Sequence, residues 1–124
     1  MNAKTKEAIN THGQNVLAIF PNATEQDPVA LCKKLRRLET AANRNATDYC
    51  NGVIDCEEWS KVASESKRKL VSLLGFPKGL DYCPVGINGD ARGYSLKIAS
   101  EFAKDLRIER DWGGYGILAP DLTF

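Results

Sequence analysis

Apolar residues recur with a helical period through the first part of the chain and shift to short alternating runs in the last part. Over residues 3–20 the apolar members are Ala8, Ile9, Val16, Leu17 and Phe20, which predicts a short helix interrupted by Gly13. Pro21 to Gln26 is polar connector. The next element carries the clearest signal. Asp27 is a good N-cap, and Pro28 suits the first helical position, where a missing N–H costs nothing. Leu31, Leu35, Leu38, Ala42 and Tyr49 then draw one apolar stripe. The helix runs to Cys50, about 35 Å at 1.5 Å per residue. Asn51-Gly52 ends it in the manner of a left-handed C-cap.

A third helix follows at once. Asp55 with Glu58 forms a capping box, and Trp59, Val62, Ala63, Leu70, Leu73 and Leu74 supply the buried face. Gly75 and Pro77 stop it. The short link 51–54 predicts that these two helices fold back on each other as an antiparallel hairpin.

Eight of the 10 glycines lie from Gly75 onward, together with every tyrosine except Tyr49, and the pattern turns to alternation. Cys83–Ile87 and Tyr94–Ile98 read as strands joined by the turn formers Asn88 to Gly93. Residues 100–106 read as a short capped helix. Leu106, Ile108, Arg110 and Trp112 then alternate as one face of a strand, and Gly113-Gly114 turns it back into Tyr115–Ala119. The expected fold class is α+β: a helical hairpin with a short N-terminal helix, packed on a small antiparallel C-terminal sheet. One domain over residues 1–124 is expected, mainly helical in 1–75 and mainly β in 80–120.

Composition agrees with a globular chain. At 124 residues and 13.7 kDa, with 43% hydrophobic and 27% charged residues, it suits one domain that buries roughly two-thirds of its unfolded surface. Seventeen basic against 16 acidic residues give a formal charge of +1, which excludes a globally basic nucleic-acid wrapper but not a local basic face. Residues 1–7 hold no apolar h-region, and nowhere do about 18 apolar residues run together. The expectation is an intracellular protein that does not associate with membranes, in which the Asn-x-Thr matches at Asn22 and Asn45 are chance. Cys32, Cys50, Cys56 and Cys83 make no Cys-x-x-Cys, and His12 is the single histidine. Reduced, mostly buried thiols are expected, with no zinc and no other cofactor.

Three constellations carry candidate chemistry. The loop 47–58 places Asn51, Gly52, Asp55 and Glu58 at calcium-loop positions, but Thr47 and Tyr49 stand where the first two carboxylates belong. Helix capping accounts for Gly52, Asp55 and Glu58 without a metal. The run Lys33, Lys34, Arg36, Arg37 and Arg44 reads as a solvated face paired with Glu39 and its neighbours, or as a basic face for nucleic acid or an acidic protein. The phosphate reading needs that run to converge with Lys67-Arg68-Lys69. The third set is the principal candidate site: Asp90, Arg92 and Tyr94 after one glycine-rich turn, and Arg110, Asp111, Trp112 and Tyr115 around another. Guanidinium forks suit phosphate or carboxylate, and rings supply stacking faces. Against this stands an internal role, with Arg92–Asp111 or Arg110–Asp90 bracing the hairpins. No catalytic set emerges: Gly-x-Ser-x-Gly, a P-loop and a histidine-rich metal set are all missing.

The stretch Ile87-Asn88-Gly89-Asp90-Ala91-Arg92-Gly93-Tyr94-Ser95-Leu96-Lys97-Ile98 and the later Arg110-Asp111-Trp112-Gly113-Gly114-Tyr115-Gly116-Ile117-Leu118-Ala119-Pro120 resemble a family of small phage- and prophage-encoded proteins. Lys34–Glu39 and Asp48–Gly52 resemble the same family's helical segment, so the likeness spans roughly residues 30–120. The resemblance implies an accessory viral protein in the bacterial host cytoplasm and carries no established activity or catalytic residue. The expected function is a non-enzymatic inhibitor of a host anti-phage defence, anti-CRISPR-like or signal-sequestering. Its partner is then a host defence protein or a nucleotide signal, and a homodimer stays open. Two alternatives stand beside it: a nucleic-acid-binding accessory protein, and a small hydrolase or nuclease working through Asp90 and Asp111.

Overall fold

The structure is a computed structural model that describes residues 3–76, 85–89, 94–98 and 116–118. It contains α1 (Ala3–Ile19), α2 (Pro28–Cys50), α3 (Cys56–Leu74), β1 (Val85–Gly89), β2 (Tyr94–Ile98) and β3 (Gly116–Leu118).

Local chemistry accounts for the helix ends. The Asp27 carboxylate accepts a bond from the Ala30 N–H at 2.9 Å, and Pro28 follows it as the first helical residue. At the other end of α2, Gly52 takes φ +73, its N–H donates to the Tyr49 carbonyl at 3.1 Å, and the Val53 N–H donates to the Asp48 carbonyl at 2.8 Å. Two orphan carbonyls are satisfied by this Schellman arrangement. In α3 the Asp55 carboxylate accepts from the Glu58 N–H at 2.8 Å, and Glu57 and Glu58 sit in the first turn, where the helix dipole favours negative charge. The same C-terminal device recurs at Gly75, with φ +76 and the Phe76 N–H on the Val71 carbonyl at 3.1 Å.

Both helix pairs are antiparallel. Cys32 Sγ donates to the Ile9 carbonyl at 3.3 Å, while Gly13 lies against the Pro28 backbone, so later residues of α2 meet earlier residues of α1. The Asn45 amide donates to the Trp59 carbonyl at 3.0 Å, and the Thr24 N–H, just ahead of α2, donates to the Leu73 carbonyl at 2.9 Å. The hairpin of α2 and α3 therefore forms as its short link requires.

The core gathers where all three helices overlap. Val16 and Phe20 from the first helix and its exit, Leu31 and Leu35 from α2, and Leu70, Leu73 and Leu74 from α3 form one buried cluster. Phe20 and Phe76 add a tilted ring contact at 5.3 Å. From residue 46 to residue 69, by contrast, no side chain is buried, and Trp59, Val62 and Ala63, expected in the core, are half-buried.

The expected α+β class is corrected here: the body that the structure describes is all-α. Among the described residues, every buried core residue lies on the three helices or on the connector between α1 and α2. β1 lies against both helices of the hairpin, and α1 packs along α2. Gly13 makes that possible: a Cβ there would sit 2.2 Å from the Pro28 carbonyl oxygen, so the residue that looked like an interruption lets two helices approach. The strands are short, of 5, 5 and 3 residues, in the antiparallel order β1-β2-β3. Val85 pairs with Ile98, Gly89 with Tyr94, and Leu96 with Ile117. Ile87 of β1 packs against the helical core. The expected helix over 100–106 and strand from 106 lie outside the described residues. Among the described residues, no helix is long and apolar enough to cross a membrane.

Candidate functional site

Of the principal candidate set, Asp90, Arg92, Arg110, Asp111, Trp112 and Tyr115 lie outside the described residues. Tyr94 is the first residue of β2 and pairs with Gly89 of β1. The basic run on α2 is described, and it leads to a concave surface.

An open groove of about 950 Å³ runs along the hairpin between α2 and α3. Lys33, Arg36, Arg37 and Arg44 line it from α2, at spacings of three, one and seven residues that keep them on one side of the helix. Ala41, Ile54 and Val62 supply apolar wall, and Asp48 and Glu58 stand at the end toward the hairpin turn. From Lys33 to Asp48 the groove follows α2 for roughly 22 Å. Cationic from Lys33 to Arg44 and acidic at Asp48 and Glu58, it has a direction.

The basic residues do not share one role. Lys34 leaves the groove and pairs with Glu25 of the α1–α2 connector at 3.2 Å. Arg36 faces two ways: it lines the groove, and its Nη1 lies 2.9 Å from Glu39 Oε2 as an ion pair without an aligned N–H bond. Glu39 is only 2% exposed, although it reads as a surface charge in the sequence. Burying a carboxylate is costly unless it is compensated. Arg36, the amide of Asn43 and the hydroxyl of Thr40 supply the compensation. Lys33, Arg37 and Arg44 are exposed and line the groove, and none of them pairs with a carboxylate among the described residues. The Lys67-Arg68-Lys69 cluster is not part of the lining, so the convergence required for a phosphate clamp does not occur in this groove.

The hairpin turn carries a second grouping. The rings of Tyr49 and Trp59 stack at 5.2 Å with planes 26° apart. A hydrogen bond with Cys56, and then the nearby thiol charge, push the Tyr49 phenol above its usual range. Cys50 and Cys56 are exposed here, which corrects the expectation of mostly buried thiols; Cys32 is buried between α1 and α2. Cys83 lies outside the described residues. Asp55 and Glu58, weighed as calcium ligands, are accounted for by the α3 cap and the groove wall. Among the described residues, no three His, Cys, Asp or Glu side chains gather as a metal set.

The groove escaped the sequence reading because its two walls come from different helices. The helical spacing of the basic run is visible in the sequence; the acidic end is not, since Asp48 sits within the second helix without a signal of its own and Glu58 reads as part of a cap. No family model matches this chain, and neither does any curated protein or solved structure.

Proposed function

We propose that this chain is a non-enzymatic binding protein, an accessory protein of phage or prophage type that inhibits a host anti-phage defence by docking on one of its components. The observation behind the docking surface is the α2–α3 groove, with three exposed cations unpaired among the described residues and apolar wall at Ala41, Ile54 and Val62 that can exclude water from a contact. The phage setting rests on the motif resemblance alone. The test is phage plating on bacterial strains whose CRISPR or other defence restricts the phage. Expression of the chain should restore plating. A variant carrying Lys33→Glu, Arg37→Glu and Arg44→Glu, with an unchanged melting curve, should not. Restriction that persists under wild-type expression across such strains would sink the inhibitor reading.

A nucleic-acid-binding role is the second reading, favoured by the same alignment of Lys33, Arg36, Arg37 and Arg44 on one helix side. It requires an affinity for oligonucleotides that falls steeply with salt.

A further inference from the structure

We infer that the α2–α3 groove takes a protein segment, an amphipathic helix of about four turns that is acidic at one end and basic at the other. The inference rests on the groove being the contact surface and adds the chemistry of its occupant. Three properties of the groove select it. The first is polarity: cations at Lys33, Arg37 and Arg44 give way over the last turn of the lining along α2 to carboxylates at Asp48 and Glu58. A nucleic acid carries a negative charge at every step, one per 1.7 Å of duplex, so a strand laid along the groove would bring phosphates onto both carboxylates. A protein segment can change sign along its length.

The second property is the wall. Ala41, Ile54 and Val62 interrupt the charged rim with apolar surface, which suits apolar side chains at helical spacing and offers phosphate and sugar nothing. The third is shape. The lining follows α2 for roughly 22 Å from Lys33 to Asp48, the length of about 15 helical residues, with Glu58 and Val62 of α3 opposite. Rim charges then set which way the segment lies, because reversing it brings like charges together at both ends.

The experiment has two arms, run on the full chain. In the first, a displayed library of random 16-residue peptides is selected on the wild-type protein and counter-selected on Arg37→Glu/Arg44→Glu. In the second, fluorescence anisotropy measures a labelled 20-nucleotide strand and a 20-base-pair duplex at low salt. Retained peptides should carry Asp or Glu in one half, Lys or Arg in the other, and apolar residues at i, i+3, i+4 and i+7. Their affinity should fall at least tenfold on Arg37→Glu/Arg44→Glu. Asp48→Lys should also weaken them several-fold, while strengthening the weak binding of the oligonucleotides. Tight oligonucleotide binding by the wild type, lost on Arg37→Glu/Arg44→Glu, would overturn the proposed occupant and leave the groove as the binding surface. Retained peptides without a charge gradient would overturn it too. If neither probe binds in a way that depends on Arg37 and Arg44, the groove itself is not a binding surface, and both readings fall.

Discussion

Gly52 and Gly75 close two helices with the same left-handed backbone, φ +73 and +76, in different surroundings. A Cβ on Gly52 would meet nothing within 4 Å, whereas one on Gly75 would lie 2.1 Å from the Asn22 carbonyl oxygen. Gly52→Ala should therefore cost only the left-handed strain, about 1 kcal/mol. Gly75→Ala should cost that strain and also displace the connector from the end of α3, about 3 kcal/mol or more in all. Urea unfolding of the two variants measures the difference, and equal losses would mean that the connector does not press on Gly75. Both glycines are legible in the sequence as helix stops; that one of them also seats a neighbouring segment is not. Gly13 and Glu39 make the same point. Each looks locally like an exception, a helix breaker and a surface charge: the Pro28 backbone against Gly13 has no signal in the sequence, and the pairing of Glu39 with the basic run is legible but its burial is not.

At the scale of the elements, the hairpin is the unit whose two ends differ. Leu31, Leu35, Leu70, Leu73 and Leu74 pin the end near α1, while residues 46–69 hold no buried side chain. Beyond the core the two helices are joined by the Asn45–Trp59 bond, the Tyr49–Trp59 stack and half-buried residues such as Val62 and Ala63. Amide hydrogen exchange should follow this division, with protection highest in residues 31–38 and 68–74 and lower through 46–62. Uniform protection along α2 and α3 would show that the hairpin opens only with the whole body. The helix bounds were largely legible because caps are local: Asp27-Pro28, Asp55 and the two stop glycines act within a few residues. Burial along each helix was not, since Trp59 and Leu70 look equally apolar and only one of them reaches the place where three helices overlap.

The molecule as a whole should be sensitive to acid through His12, which is 5% exposed and whose pKa burial lowers from the usual 6.5. The unfolded chain binds a proton as pH falls through about 6.5, while the folded protein resists doing so until lower pH. The His12 contribution is therefore intact above that value and declines on acidification. Melting temperatures measured from pH 7.5 to 5.5 should fall for the wild type and fall less for His12→Gln. The same slope in both would assign the acid sensitivity to other groups.

By itself the sequence determined three helices, their caps, the tight reversal between α2 and α3, and a cationic stripe on α2, because each depends on residues a few positions apart. Only tertiary structure decided that α1 packs along α2, that Glu39 is buried, and that Asp48 and Glu58 complete a polarised groove. Those outcomes come from side chains distant in sequence meeting in space, and the periodicity of a single helix says which side is apolar without saying what will press against it.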